Sequence, residues 1–159
     1  MSATGLSMDY ATFSETAPSA RAALIDMGKA VEASGLDKAL TELVKVRVSQ
    51  INGCGFCLAL HLGWAREAAV AQDKLDFLTV WHEVDVFSPR ERAALAWAEA
   101  VTRIQDGAEP SPTAAAALRS EFTEQEIIFL TVAVANINAW NRIAGPLRFP
   151  QPANTGGKR

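Results

Sequence analysis

Apolar positions recur along this chain with the spacing of amphipathic helices, and period-two alternation is nearly absent. Pro18 opens a first helical segment, 18–34, with apolar Ala22, Ala23, Ile25, Met27, Ala30 and Val31 and a stop at Gly35. Leu36 to Ile51 forms the next, with Leu40, Leu43, Val44, Val46 and Val48 as its apolar face. Asn52-Gly53 is a turn signal, and a third helix starts at Cys54 and runs to about Ala71. Asp73 to Val86 reads as one or two short helices around Trp81. In Ser88-Pro89-Arg90-Glu91, Ser88 caps, Pro89 suits the first helical position and Glu91 completes a capping box; that helix ends near Asp106-Gly107. Ser111-Pro112 opens another helix, and Thr123 with Glu126 caps the last. Residues 1–16 read as a loosely held arm and the tail 151–159 as flexible. The expectation is an all-α bundle of about six to eight helices, forming a single domain over 1–159 without internal repeat or linker.

The final helix carries a further implication. From Ile127 to Ala139 it is apolar almost all round, broken only by Thr131, Asn136 and Asn138. Such a helix is buried on every side. In a domain this small, that calls for a second subunit, so a homo-oligomer is expected.

Composition narrows the class of protein. With 159 residues, 49% of them hydrophobic and 21% charged, the chain has enough apolar material for a proper core. A net charge of −3 with no basic cluster argues against a nucleic-acid partner. No uninterrupted apolar run approaches the roughly 18 residues of a membrane span, and the N-terminus lacks the pattern of a signal peptide. A cytoplasmic protein without membrane contact is expected. In a reducing compartment two close cysteines point to catalysis or metal binding rather than to a structural staple.

The candidate chemistry lies in residues 42–61. Cys54, Cys57 and His61 stand at i, i+3 and i+7, one face of a helix. Cys54 falls in its first turn, where unpaired backbone N–H groups and the helix dipole favour a thiolate. If the helices before and after Asn52-Gly53 form an antiparallel hairpin, Glu42 and His61 come to comparable heights, about 15 Å from the turn. Carboxylate, imidazole and thiol then form a proton relay. Three readings of the four residues stand: a redox pair that reacts with peroxide and closes a disulfide, a four-ligand zinc site, or two buried cysteines acting as small hydrophobes. Among the other polar and aromatic residues, His82 with Glu83 reads as a surface pair, Trp64, Trp97 and Trp140 as core, and Ser49 as bonding back to its own helix. Arg47 and Arg142 read as structural ion-pair partners.

The pattern E-x11-C-x-x-C-x3-H, carried by Glu42, Cys54, Cys57 and His61, resembles the signature of the alkylhydroperoxidase D (AhpD)-like branch of the carboxymuconolactone decarboxylase superfamily. The words ELVKVRVSQINGC, FSPRERAALAWAEAVT and INAWNRIA are similar to that branch too, so the resemblance covers roughly Leu36 to Pro150. It implies an all-helical, homo-oligomeric fold and a peroxidase activity without a tightly bound cofactor. Cys57 would attack the hydroperoxide and Cys54 would resolve, with Glu42 and His61 relaying protons. A dithiol would re-reduce the disulfide; in the best-known members it is a lipoyl-bearing partner protein. The decarboxylase branch lacks the paired cysteines. One departure is Phe56, which stands where the best-known members carry a histidine, so that Glu42 is expected to act through His61 or a water. A general disulfide oxidoreductase and a metal-binding, non-enzymatic oligomer are the alternatives.

Overall fold

The computed structural model describes residues 5–104 and 110–152. Among these it contains eight α-helices and one 3₁₀ helix: α1 (Tyr10–Thr16), α2 (Pro18–Ala33), α3 (Lys38–Ile51), α4 (Gly55–Glu67), α5 (Gln72–Phe77), the 3₁₀ segment (Leu78–Glu83), α6 (Pro89–Thr102), α7 (Pro112–Glu121) and α8 (Glu124–Ala144). The fold is all-α. α6 ends at Thr102 with Arg103 as its C-cap, short of the end expected near Asp106-Gly107, and the flexible tail beyond Pro152 lies outside the described residues.

Helix α3 is the axis of the bundle, packed against α4, α6 and α8. Its sequence explains this position, because apolar residues occupy more than one face. Leu40, Val44 and Val48 enter the core shared with α6 and α8, while Leu43 and Val46 enter a second core with Leu75, Leu78, Trp81 and Leu95. Asp37 caps its start through a hydrogen bond from the Leu40 N–H, so the helix begins at Lys38, and Leu36 packs just ahead of the cap. At its end Asn52 is still helical and Gly53 takes a φ of 63°, a conformation that favours glycine. That residue reverses the chain into α4. The capping boxes read from Ser88 with Glu91 and from Thr123 with Glu126 are both formed.

Three expectations are corrected. The segment before Pro18 is no loose arm over its described length. Asp9 caps α1, and Tyr10 and Phe13 on one face of it join Phe56, Trp140 and Phe149 in an aromatic cluster; the Arg21 Nε–H donates to the Tyr10 hydroxyl at 2.7 Å. Two aromatics three residues apart are enough to dock a seven-residue helix. Nor is α8 buried on every side: Ile128, 55% exposed, Ala135 and Arg142, spaced by seven, leave a strip uncovered in the single chain. By length and composition α8 would also suffice to cross a membrane, which the sequence reading had not allowed for; here it packs on α2, α3, α6 and α4, and its buried asparagines are hydrogen-bonded. The third correction concerns α2, where Ala22, Ala23, Met27 and Ala30 face outward and only Val31 is fully buried.

Candidate active site

The α3–α4 hairpin brings Glu42 and His61 together as their spacing predicts. His61 Nδ1 lies 2.7 Å from Glu42 Oε2, and the other carboxylate oxygen accepts from Lys45 Nζ at 3.0 Å. Both members of the pair are buried, at 2% and 8% exposure. Burial raises the Glu42 carboxyl, but the hydrogen bond and charge of His61, followed by Lys45, outweigh it and hold the group below its ordinary value. His61 is pushed below its ordinary value, because burial outweighs the support of Glu42. Around neutrality the pair is therefore a carboxylate and a neutral imidazole, with Nδ1–H donating to Glu42 and Nε2 left as a base. Lys45, one turn after Glu42, was missed in the sequence; its signal was the i, i+3 spacing to an acidic residue.

The cysteines differ from the expectation in one respect. Cys54 is the N-cap of α4 rather than part of its first turn, and its sulfur accepts the Cys57 N–H at 3.4 Å. Both sulfurs are buried, at 2% and 3% exposure, and no disulfide joins them. The Cys57 thiol hydrogen-bonds to the Cys54 sulfur, which, despite burial, with backbone N–H groups and the Asn141 amide holds Cys54 down at about 6. The same shared proton, with burial, pushes Cys57 up. Cys54 is thus the more acidic thiol of the pair.

Access separates the two. A cavity of about 840 Å³ opens beside the hairpin, bounded by α1, α2, α3, α4, α8 and the segment Pro150–Pro152. Cys57, His61 and Glu42 line it; Cys54 does not. Its aromatic wall comprises Tyr10, Phe56, Trp64 and Trp140. Trp64, expected in the core, is instead 43% exposed at the rim, its ring edge-on to His61 with centroids 4.9 Å apart. One turn after His61 on the same helix, it shares the face that opens to the cavity.

Other expectations resolve as follows. Among the described residues no three His, Cys, Asp or Glu side chains converge as a metal site, and both Glu42 oxygens are engaged by His61 and Lys45. The four residues read together therefore split into a relay and a thiol pair, which disfavours the zinc alternative. His82 stacks on Trp81 and lies 3.8 Å from Glu99, not Glu83. Arg47 does form an ion pair, at 2.8 Å from Glu99. Ser49 does not bond back to its helix; its hydroxyl accepts from Asn141 at 3.2 Å. Arg142 donates to the Asn138 backbone and side chain instead of to a carboxylate.

Phe56 takes part in both the cavity wall and the core. Its ring stacks on Tyr10 at 5.9 Å and meets Phe149 edge-on at 5.3 Å. Since Glu42 bonds His61 directly, a histidine at 56 has no gap to bridge. Phe56→His is expected to lower stability by about 1–3 kcal/mol, through lost aromatic packing and an imidazole without a partner. Thermal melting and peroxide turnover on one preparation test this; a stable variant with faster turnover would be the contrary result.

Comparison with known proteins places the chain in a family. The family model for the carboxymuconolactone decarboxylase family matches residues 18–100, and the chain belongs to that family. The Bacillus subtilis (strain 168) protein YdfG, itself uncharacterized, is 34% identical over 133 residues, covering 84% of this chain and 90% of YdfG. A crystal structure from Agrobacterium tumefaciens, of a protein of unknown function linked to antioxidant defence as AhpD, superposes with a TM-score of 0.84 at 35% identity, covering 89% of this chain and 97% of the other. An uncharacterized peroxidase-related protein from Silicibacter sp. TM1040 gives 0.74 at 27% identity, over 86% of this chain and 72% of its own. The AhpD-like helical fold and a peroxidase-related role at family level follow.

Proposed function

We propose that this protein is a thiol-dependent peroxidase that reduces organic hydroperoxides through Cys57 and Cys54. The observation that carries the reading is the direct Glu42–His61 hydrogen bond one helical turn from Cys57, on the wall of a cavity with aromatic sides. Because Cys57 is the less acidic thiol, it needs a base as it attacks, and neutral His61 is the base beside it. The Cys57 sulfur bonds to the terminal peroxide oxygen, the O–O bond breaks, and the thiol proton passes through His61 to the departing alkoxide. The products are an alcohol and a Cys57 sulfenic acid. Cys54, the more acidic thiol, then attacks the Cys57 sulfur as a thiolate; the S–S bond forms and hydroxide leaves, taking up a proton as water. A dithiol restores the pair, donating two electrons and two protons. Its attack falls on Cys57, which faces the cavity, and expels Cys54, the better leaving group.

Peroxide consumption with a dithiol reductant tests the reading. A bulky aryl or alkyl hydroperoxide should be consumed faster than hydrogen peroxide, because only the former fills the cavity. No consumption of any hydroperoxide would reject it. A second reading, a general disulfide oxidoreductase, is favoured by one observation: Cys54, the first cysteine of the pair, is the more acidic, an ordering that suits attack on protein disulfides. Its burial away from the cavity speaks against that role.

The uncovered strip of α8 and the outward apolar residues of α2 support a homo-oligomer in solution. Light scattering at micromolar concentration should give a multiple of the 17.0 kDa chain mass; the mass of one chain would refute it.

A further inference from the structure

We propose that Asn136 is a specificity-determining residue of the cavity, its Oδ1 accepting a hydrogen bond from a neutral hydroxyl or N–H group on the substrate. Asn136 lies on α8 and is 6% exposed, yet it lines the cavity that Cys57 and His61 also line. Its amide is oriented by α2. The Leu24 carbonyl, which can only accept, lies 2.9 Å from the nitrogen, so Nδ2 is committed there and Oδ1 turns the other way. Among the described residues Oδ1 has no hydrogen-bond partner, whereas every fully enclosed side-chain nitrogen or oxygen has one. Oδ1 therefore keeps open surface on the cavity. Gly28 is the reason, one turn beyond Leu24 on α2 and itself on the cavity wall. A Cβ at 28 would stand 3.8 Å from Oδ1 and cover it; glycine leaves it bare.

The surroundings define the chemical class of the ligand. Leu24, Ile25, Ile137 and Trp140, from the same two helices, make this side of the cavity apolar. The lysines that line the cavity are each paired with a carboxylate: Lys29 with Asp26, Lys38 with Glu32 and Lys45 with Glu42. Those cations are answered within the chain, and Asn136 offers a neutral acceptor. An apolar body with one uncharged donor fits this lining. A ligand without the donor strips water from Oδ1 and returns nothing, and that cost is the basis of discrimination. Asn136 and Cys57 share one cavity of about 840 Å³, so a substrate held at its polar group can present its peroxide to the relay. In the sequence Asn136 is only a polar break in an apolar helix, because Leu24 and Gly28, which orient and uncover it, lie on α2.

The substrate assignment rests on the peroxidase reading, and the test separates the two. Indole and benzofuran share a shape and differ in one N–H; calorimetry gives the Kd of each without any peroxide. Wild type should bind indole about tenfold more tightly, the effect expected of one hydrogen bond. Asn136→Leu should bring the two affinities to near equality. Gly28→Ala keeps the Asn136–Leu24 bond and replaces a helix-interior glycine, so it should fold at least as well as wild type. Its methyl should cut the preference to about threefold or less. Thermal melting accompanies each variant, and Gly28→Ala decides if Asn136→Leu does not fold. A purely structural tie between α2 and α8 would move melting but not the ratio of the two affinities. In turnover, cumene hydroperoxide with a para hydroxymethyl group should show a lower KM than its methyl ether, at similar kcat. A preference lost in the variants while no hydroperoxide is consumed would uphold the acceptor and overturn the peroxidase reading instead. Equal KM values beside an intact binding preference would overturn the substrate role. No preference in wild type, or one that the folded variants keep, overturns the role of Asn136 altogether.

Discussion

Cys57→Ser is expected to reduce peroxide consumption to the uncatalysed background, while Cys54→Ser consumes a single equivalent and stops. The difference comes from position rather than from acidity. Cys57 shares the cavity wall with His61, and Cys54 lies behind it as the cap of α4. Serine at 57 removes the only thiol that a hydroperoxide meets beside a base, and a hydroxyl at its ordinary acidity is no substitute. Serine at 54 leaves the first step intact but removes the thiolate that closes the disulfide, so a Cys57 sulfenic acid should accumulate and react with a dimedone probe. In wild type, peroxide should remove both thiols together without cross-linking chains on a non-reducing gel. The outcome that would sink this assignment is the reverse ordering: turnover retained in Cys57→Ser and lost entirely in Cys54→Ser. That result would instead fit a disulfide oxidoreductase led by Cys54, the ordering its low pKa alone would suggest.

The parts of the molecule legible in the sequence were those set by local chemistry. Helix starts at Ser88 and Thr123 are read correctly because a capping box is contained within four residues. The Glu42–His61 contact is legible because a two-helix hairpin with a glycine turn converts sequence spacing into height along the pair. What escaped depends on long-range contact. Tyr10 and Phe13 look like part of a polar arm until Phe56, Trp140 and Phe149 meet them from other parts of the chain. Trp64 reads as core by composition, yet it sits on the face of α4 left open by the cavity. Asn136 and Asn138 of α8 read as breaks in an apolar pattern because their partners, the Leu24 carbonyl and the Asn52 amide, lie 112 and 86 positions earlier. The order of acidity of the cysteines was hidden for a related reason: it depends on which sulfur caps the helix and on an amide from α8.

Glu42→Gln and His61→Ala are each expected to slow the oxidation of Cys57 by about 10²–10⁴-fold, the usual contribution of a positioned acid–base group. The sign of the pH dependence distinguishes a relay from a structural role. His61 sits below its ordinary 6.5, so it remains the neutral base at neutral pH, and the rate should fall as pH drops through its folded value. Glutamine at 42 is nearly isosteric and keeps an oxygen for the Nδ1–H, but it withdraws the charge that raises the imidazole. His61 then titrates at still lower pH and is a weaker base: the plateau drops and the acid limb moves downward. Alanine at 61 removes that limb altogether. Stability responds in the same direction for both groups. A folded pKa below the unfolded one means that the unfolded chain takes up the proton first, so stability is full above about 6.5 for His61 and above about 4.5 for Glu42, and is lost as pH falls through each folded value. Rapid-mixing oxidation rates across pH 5 to 8, in the window about the ordinary imidazole value, with thermal melting at each pH, measure the two effects separately. Variants that melt lower in acid but keep the wild-type plateau and limb would show that Glu42 and His61 hold the hairpin together without serving Cys57.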